Sequence, residues 1–290
     1  NPALYKTGAN GSKGTSVSLL PFFYILSFVI IQDRLRSGIK KKTSYFFCYS
    51  ARLHYLCKKY KIYNMRYSII VPVYNRPDEV DELLESLTNQ SVKDFEVIIV
   101  EDGSSIPCKE VCDKYAGKLD LHYYNKPNSG PGQSRNYGAE RANGEYMIVL
   151  DSDVVLPTDY IKAINAELDR EHADAFGGPD EAHSSFTDTQ KAISYSMTSF
   201  FTTGGIRGGK KKLDKFYPRS FNMGISKKAY MALGGFSKMR FGEDIDFSIR
   251  IFKAGYKCRL FPEAWVWHKR RTDFHKFWRQ VYNSGIARIN

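Results

Sequence analysis

The chain has 290 residues, 42% of them hydrophobic and 14% aromatic, which is enough to bury a sizeable core. Its formal charge of +12 suggests an anionic partner, but that charge is unevenly distributed. Residues 1–64 hold 11 Lys and Arg against one acid, Asp33, whereas residues 65–290 hold 32 basic and 30 acidic residues. The main body is therefore nearly neutral, and bulk charge excludes no enzyme class and supports no nucleic-acid partner.

The cysteines give a modest indication of compartment. The five of them form no C-x-x-C pair and no dense framework, and a sparse, odd number fits a reducing compartment. We therefore expect a cytoplasmic protein.

The first 64 residues differ in composition from the rest. Their apolar run, Val17–Ile31, is shorter than the roughly twenty residues that span a bilayer, and basic residues follow it. Two interpretations stay open. The segment is either non-native sequence placed before Met65, the first methionine, or a membrane-associating anchor with its basic side toward the cytoplasm.

From Met65 onward, strand patterns and helix patterns alternate. Helical spacing is predicted for "RPDEVDELLESLTNQ", for residues around Lys109–Tyr115 and for the segment after "NSGPG". Such alternation predicts a parallel sheet covered on both faces. The predicted strands are Tyr67–Asn75, Phe95–Val100, Leu119–Tyr124 and Met147–Leu150.

Two carboxylates, Asp151 and Asp153, follow the apolar strand Met147–Leu150. In extended chain, residues two apart point the same way, about 6.5–7 Å from each other. A solvated turn is the alternative, since Asp and Ser favour turns. However, Tyr74–Asn75 and Glu101–Asp102 also end strands, and ligands of such sheets bind beyond those ends. We therefore favour a functional site.

The second half is less regular. The Gly- and Lys-rich segment Gly204–Lys212 is expected to be a mobile loop, and a helix is expected to start near Glu243 and to stop at Gly255. An amphipathic helix after Asp273 would pack on the core or lie on a membrane surface. The chain stops at Asn290 without an end signal, which we interpret as truncation.

Six segments, in this order and spacing, carry a family resemblance: "SIIVPVYNRP", "VIIVEDGSS", "NSGPGQSRNYGAERANGEYMIVLDSD", "FNMGISKKAY", "FGEDIDFSIRIFKAGY" and "VWH". With them, Met65 to about Ile286 resembles a family 2 glycosyltransferase of the GT-A fold. The resemblance implies an α/β protein with a mostly parallel, Rossmann-like sheet, helices on both faces and a smaller acceptor-binding part. Residues 65–155 would form the nucleotide-binding half and residues 156–290 the acceptor half.

The resemblance also implies roles on the donor side. Pro72 and Tyr74 would line the base, Asp102 with Glu101 would accept hydrogen bonds from base or ribose, and Arg135 would support the nucleotide.

A metal site is implied as well. Asp151 would contact ribose or metal-bound water, and Asp153 with His268 would bind Mn²⁺ or Mg²⁺, whose charge suits a leaving nucleoside diphosphate.

On the acceptor side, Asp244 would be the general base of an inverting single displacement and Glu243 would orient the acceptor. Asp246 is the fallback base. Asn222 and Gly224 would border the sugar, and the loop Gly204–Lys212 would close over the donor.

The expected activity is transfer of a hexosyl or N-acetylhexosaminyl group from a nucleotide-sugar, with UDP favoured over GDP. The acceptor would be a hydroxyl of a glycan or lipid-linked molecule, in bacterial polysaccharide or surface-glycan synthesis at the inner face of the plasma membrane. An inert domain that binds nucleotide-sugar or carbohydrate is the alternative. Sugar nucleotidyltransfer is disfavoured, because "PVYNRPDE" stands where a Gly-rich phosphate loop would be needed.

Overall fold

The computed structural model describes residues 66–183, 185–199, 216–239, 242–269 and 273–286. The predictions for residues 1–64 and for the loop Gly204–Lys212 fall outside these ranges. Within them, no helix combines the length and the apolar character that crossing a bilayer requires.

Ten strands and eight helices are described, and they alternate along the first half of the body. In chain order they are β1 (Tyr67–Val73), α1 (Pro77–Thr88), β2 (Phe95–Asp102), α2 (Lys109–Tyr115), β3 (Leu121–Lys126), α3 (Pro131–Ala139), β4 (Tyr146–Leu150), β5 (Val154–Val155), α4 (Tyr160–Arg170), β6 (Ala175–Gly177), β7 (Asp180–Glu181), α5 (Asp188–Thr198), β8 (Asn222–Ser226), α6 (Lys227–Ala232), α7 (Glu243–Lys253), β9 (Cys258–Leu260), β10 (Val266–His268) and α8 (Phe274–Ile286).

The main sheet has seven strands in the order β3-β2-β1-β4-β8-β6-β9. Strands β1 to β4 are mutually parallel, whereas β8 runs antiparallel to both of its neighbours, β4 and β6. The predicted α/β architecture with a mostly parallel sheet is therefore confirmed. Strands β8, β6 and β9, which follow residue 155, extend the same sheet as β1 to β4. The two halves expected from the sequence therefore contribute strands to one sheet.

Hydrophobic residues on both faces of the sheet explain why helices cover both sides. The side chains of β1, β2 and β4 are almost completely buried. On one face they pack with α1, α2 and α4, and on the other with α3, α6 and α7. Burial on both faces is typical of parallel sheets and produces their continuous apolar runs.

Helix α3 lies unusually close to the sheet because its packing side carries glycine. A Cβ at Gly138 would lie 2.6 Å from Cγ2 of Ile70 on β1, which is too close for any side chain. This close approach places Arg135, one turn earlier on α3, directly beside the carboxyl ends of the strands.

Strand β1 is shorter than predicted and stops at Val73. Asn75 follows in the left-handed region, with φ of 55°. Its backbone N–H donates to Ser104 Oγ at 2.8 Å, and its Oδ1 accepts from the backbone N–H of Ile106 at 2.9 Å. Contact with the loop after β2 therefore ends this strand.

Candidate active site

Asp151, Asp153 and His268 converge at the end of β4. The antiparallel pairing of β10 with β5 sets His268 opposite Val154, and His268 Nε2 lies 3.2 Å from Asp153 Oδ1. One potential ligand atom from each of the three side chains lies within 4.8 Å of the others. Two carboxylate oxygens and one imidazole nitrogen form a donor set that suits Mn²⁺ and, less strongly, Mg²⁺.

Asp180 supports His268 from the opposite side. The parallel pairing of β7 with β10 places Asp180 Oδ2 3.6 Å from His268 Nδ1, and the Asp180 side chain is fully buried. Phe221 stacks on the imidazole ring with centroids 4.9 Å apart. Asp180 thus stands behind the imidazole at ion-pair distance, the position from which a carboxylate commonly orients a metal-binding histidine. The sequence did not predict this role for Asp180, because a single acid after "AFGGP" forms no recognisable motif with another metal-binding residue.

Arg135 connects the end of β4 to the start of α7. Its guanidinium donates to Asp151 Oδ1 at 2.8 Å and to Glu243 Oε1 at 3.0 Å, and its side chain is almost completely buried. Burial alone would lower the pKa of Arg135, but the two carboxylates outweigh burial and raise it, so the group stays cationic. Phe236 lies under the guanidinium, 5.2 Å from centroid to Cζ.

Asp244 stands at the start of α7, where Gly242 takes a left-handed conformation with φ of 83°. Asp244 Oδ2 lies 2.9 Å from Arg219 Nε, a contact that sequence reasoning did not find. It is partly buried at a helix start beside Glu243, and the Arg219 contact holds its carboxylate in place, as a positioned general base requires.

Asp246, the fallback base, is occupied by structural contacts. Its Oδ2 accepts from Ser237 Oγ at 2.6 Å and from Arg250 Nε at 2.9 Å. Arg250 also donates to the backbone oxygens of Leu233 and Gly235. Asp246 therefore braces the loop before α7, and Asp244 is the better candidate.

Pro72, Tyr74 and Asp102 lie at the ends of β1 and β2, where a nucleoside was predicted. Tyr74 is exposed, and Pro72 is partly buried. The Asp102 carboxylate binds the Lys126 ammonium and accepts from the backbone N–H groups of Ser129 and Gly130, each at 2.9 Å. Asp102 thereby fixes the chain that enters α3.

Glu101 faces the interior instead. It is fully buried, and its carboxylate accepts from Ser104 Oγ, from the backbone N–H of Cys108 at 2.7 Å and from the Tyr123 hydroxyl at 3.3 Å. These contacts hold the loop after β2, as the contacts of Asp102 hold the chain that enters α3, and the role of Glu101 beside Asp102 in nucleotide binding stays a prediction.

Asn222 and Gly224 also have internal explanations. Asn222 Oδ1 accepts from the Tyr160 hydroxyl at 2.7 Å, and Nδ2 donates to the Ala264 oxygen at 2.8 Å. A Cβ at Gly224 would lie 2.0 Å from the Phe176 ring. These positions serve packing within the sheet, so the prediction that they border the sugar receives no support from the geometry.

A cleft of about 540 Å³ opens beside Asp153. Glu79, in the first turn of α1, accepts from Ser152 Oγ at 3.2 Å, and burial followed by the Asp153 charge raises the pKa of Glu79. Its lining combines two apolar residues, Val155 and Phe186, with mostly charged and polar ones: Arg76, Glu79, Glu82, Asp153, His183, Ser185, Gln190, Lys269 and Lys276.

The fold matches that of solved GT-A glycosyltransferases. Residues 1–349 of TarS from Staphylococcus aureus, in complex with UDP, superpose with a TM-score of 0.58 at 24% identity, over 75% of this chain and 64% of that one. The mannosyltransferase PcManGT from Pyrobaculum calidifontis, in complex with GDP-Man and Mn²⁺, gives 0.56 at 18% identity, over 85% and 73%. At these identities the likeness establishes the fold.

The sequence comparison establishes the family. Residues 68–234 match the profile of glycosyl transferase family 2, and the chain belongs to that family. The match includes Asp151 and Asp153 but ends before Asp244 and His268.

Curated relatives match over shorter stretches. The poly(ribitol-phosphate) β-N-acetylglucosaminyltransferase TarS of S. aureus is 37% identical over 114 residues, which is 38% of this chain and 20% of that protein. Glycosyltransferase GlyG of Streptococcus pneumoniae is 31% identical over 115 residues, 38% of each chain. The matched stretches thus cover a fifth to two fifths of these relatives.

Proposed function

We propose that this protein is an inverting, metal-dependent glycosyltransferase that moves a sugar from a UDP-sugar to a hydroxyl group of a glycan or lipid-linked acceptor. The observation that carries the proposal is the pair of ion bridges by which Arg135 links Asp151, a member of the carboxylate–imidazole cluster, to Glu243, the sequence neighbour of the candidate base Asp244. This network supports the proposal, because it joins the candidate metal cluster to the helix that carries the candidate base.

On the donor side, the donor set fits a divalent ion that Asp153 and His268 would hold together with Asp151. Such an ion supplies positive charge against the leaving nucleoside diphosphate. Arg135 keeps Asp151 oriented, and Asp180 keeps the His268 ring oriented. Tyr74, Pro72 and Asp102 stand at the neighbouring strand ends, where the base and ribose would lie.

On the acceptor side, Asp244 would take the proton of the attacking hydroxyl as that oxygen bonds to the anomeric carbon. The bond from that carbon to the diphosphate oxygen breaks in the same step, which inverts the configuration and needs no carboxylate nucleophile. The ion pair with Arg219 orients the Asp244 carboxylate, and the ion pair with Arg135 orients Glu243.

The relatives support a proposal for the substrate class. TarS structures are in complex with UDP and UDP-GlcNAc, whereas PcManGT is in complex with GDP-Man. The stronger sequence match to TarS favours UDP and an N-acetylhexosaminyl group, and its poly(ribitol-phosphate) acceptor favours a surface-glycan role on the cytoplasmic side of a bacterial membrane. An inert binding domain is disfavoured, because such a domain has no need to retain both the cluster and the base.

Calorimetric titration of UDP and GDP, with and without Mn²⁺, tests the donor site. We expect UDP to bind only with the metal, and Asp153→Ala to abolish that binding. Asp188→Ala, which removes a fully exposed carboxylate from α5, is the matched control and should bind as the wild type does. If neither nucleotide bound the folded protein, the transferase proposal would be wrong, and the inert-domain alternative would replace it.

Asp180→Asn tests the support behind His268. We expect the affinity for Mn²⁺ in the presence of UDP to fall about 10–100-fold, because the imidazole loses the carboxylate that orients it. Electron paramagnetic resonance of the unbound Mn²⁺ measures this directly and needs no turnover. An unchanged affinity would assign Asp180 to the packing of β7 alone.

A further inference from the structure

Helix α8 presents an apolar stripe to solvent. Phe274, Trp278, Val281 and Tyr282 are 71%, 55%, 51% and 57% exposed, although all four are large hydrophobic residues. Their spacing of four, three and one residues puts them on one side of a 13-residue helix. The Trp278 and Tyr282 rings stack on each other, 5.4 Å between centroids, and form a continuous apolar surface.

The partly covered side of α8 is largely polar. The partly covered positions are Phe277, Gln280 and Asn283, which recur every three residues. A helix that packs on a core shows the reverse arrangement, with its apolar side covered. Within the described part of the chain, the apolar stripe is therefore largely uncovered. Exposed apolar stripes of this kind mark interaction surfaces.

Charge identifies the partner. Residues 269–290 carry six basic residues and one acid, Asp273, whereas residues 65–268 carry 26 basic and 29 acidic residues. Helix α8 itself contains no acid, and its polar edge exposes Lys276 and Arg279. Helices that lie in the headgroup region of anionic membranes typically combine an aromatic, apolar face with a neighbouring basic face that lacks acids.

We propose that α8 docks this protein onto an anionic lipid surface, lying in the plane of the membrane with Phe274, Trp278, Val281 and Tyr282 inserted. At 1.5 Å per residue the helix is about 20 Å long, so it can lie on a bilayer but cannot cross it. Since Lys276 also lines the cleft beside Asp153, docking would bring that cleft to the lipid surface. That last consequence rests on the proposed transferase function; docking itself does not.

Tryptophan fluorescence of the full chain with lipid vesicles tests the docking. We expect vesicles that contain phosphatidylglycerol to shift the emission to shorter wavelength, and vesicles of phosphatidylcholine alone to shift it far less. Trp278→Phe keeps the side chain apolar, so this variant should still sediment with the vesicles but lose the shift. Loss of the shift with retained binding places Trp278 itself in the lipid, whatever residues 1–64 do.

A second variant tests the contribution of the stripe to binding. Phe274→Gln combined with Val281→Gln should weaken vesicle binding at least about tenfold, because two apolar side chains lose their burial. Tyr195→Gln, which removes an equally exposed aromatic ring from α5, should bind as the wild type does.

Three results would overturn the proposal. One is unchanged vesicle binding by the double variant, which would assign lipid contact to residues 1–64. Another is equal binding to neutral and anionic vesicles. The third is a concentration-dependent dimer that the double variant abolishes, which would assign the stripe to a second copy of the chain.

Discussion

Replacing Asp244 with Asn is expected to lower kcat by about 10²–10⁴-fold, the usual contribution of a general base. The amide keeps the shape of the side chain but cannot take the proton of the acceptor hydroxyl. Metal-dependent UDP binding should not change, because Asp244 contacts Arg219 rather than the carboxylate–imidazole cluster. Initial rates with saturating donor, combined with calorimetry, measure the two effects separately.

Asp246→Asn is the matched control, two residues further along α7. Since Asp246 is bonded to Ser237 and Arg250, its replacement should lower the melting temperature and leave kcat within a few-fold of wild type. A loss of kcat in Asp246→Asn comparable with that in Asp244→Asn would show that the effect comes from the position of α7, not from proton transfer.

Replacing Arg135 with Leu is expected to lower the free energy of unfolding by about 3–5 kcal/mol, the cost of breaking a buried ion pair from one side. Asp151 and Glu243 would lose the cation that lies between them, and the buried guanidinium would leave a space that Leu fills incompletely. Urea unfolding followed by circular dichroism measures the change.

Lys109→Leu is the exposed counterpart of this test. Lys109 pairs with Asp113 at 2.7 Å on the surface of α2, with both side chains more than half exposed, so its loss should change stability little. If the two substitutions lowered the free energy of unfolding equally, the buried ion pairs of Arg135 would not be the cause of the loss.

The parallel part of the sheet is predictable from sequence for a physical reason. Strands β1, β2 and β4 are buried on both faces, so each leaves an uninterrupted apolar run in the sequence, and the helices between them leave helical spacing. Strands β5, β7 and β10 are two or three residues long, too short for any periodicity. The pairing of β10, which ends at His268, with β5 and β7 in a small second sheet was accordingly not predicted.

The carboxylate pair at the end of β4 was also predictable, because two acids after an apolar strand stand out in the sequence. Asp180 and Arg219 do not stand out, since each is one charged residue whose partner, His268 or Asp244, lies far away in the chain. Arg135 shows the same limit: Asp151 is 16 residues away and Glu243 is 108 residues away. Only the fold reveals that one guanidinium binds both.

Motif residues can also owe their identity to packing. Glu101 braces the loop after β2, Asn222 joins Tyr160 to Ala264, and Gly224 leaves room for Phe176. A sequence motif records which residue types a position tolerates, and it does not separate contact with a ligand from contact with a neighbouring strand.

The shared guanidinium of Arg135 has a thermodynamic consequence. In the proposed mechanism, a ligand that draws on Asp151 would alter how strongly the same cation holds Glu243, so that occupancy at one end would change the free energy of binding at the other. Linkage requires this coupling to be reciprocal: whatever factor the metal–nucleotide gives to acceptor affinity, the acceptor must return to the metal–nucleotide. Arg135 would thus make the two substrates of one reaction allosteric effectors of each other, over the span of a single side chain.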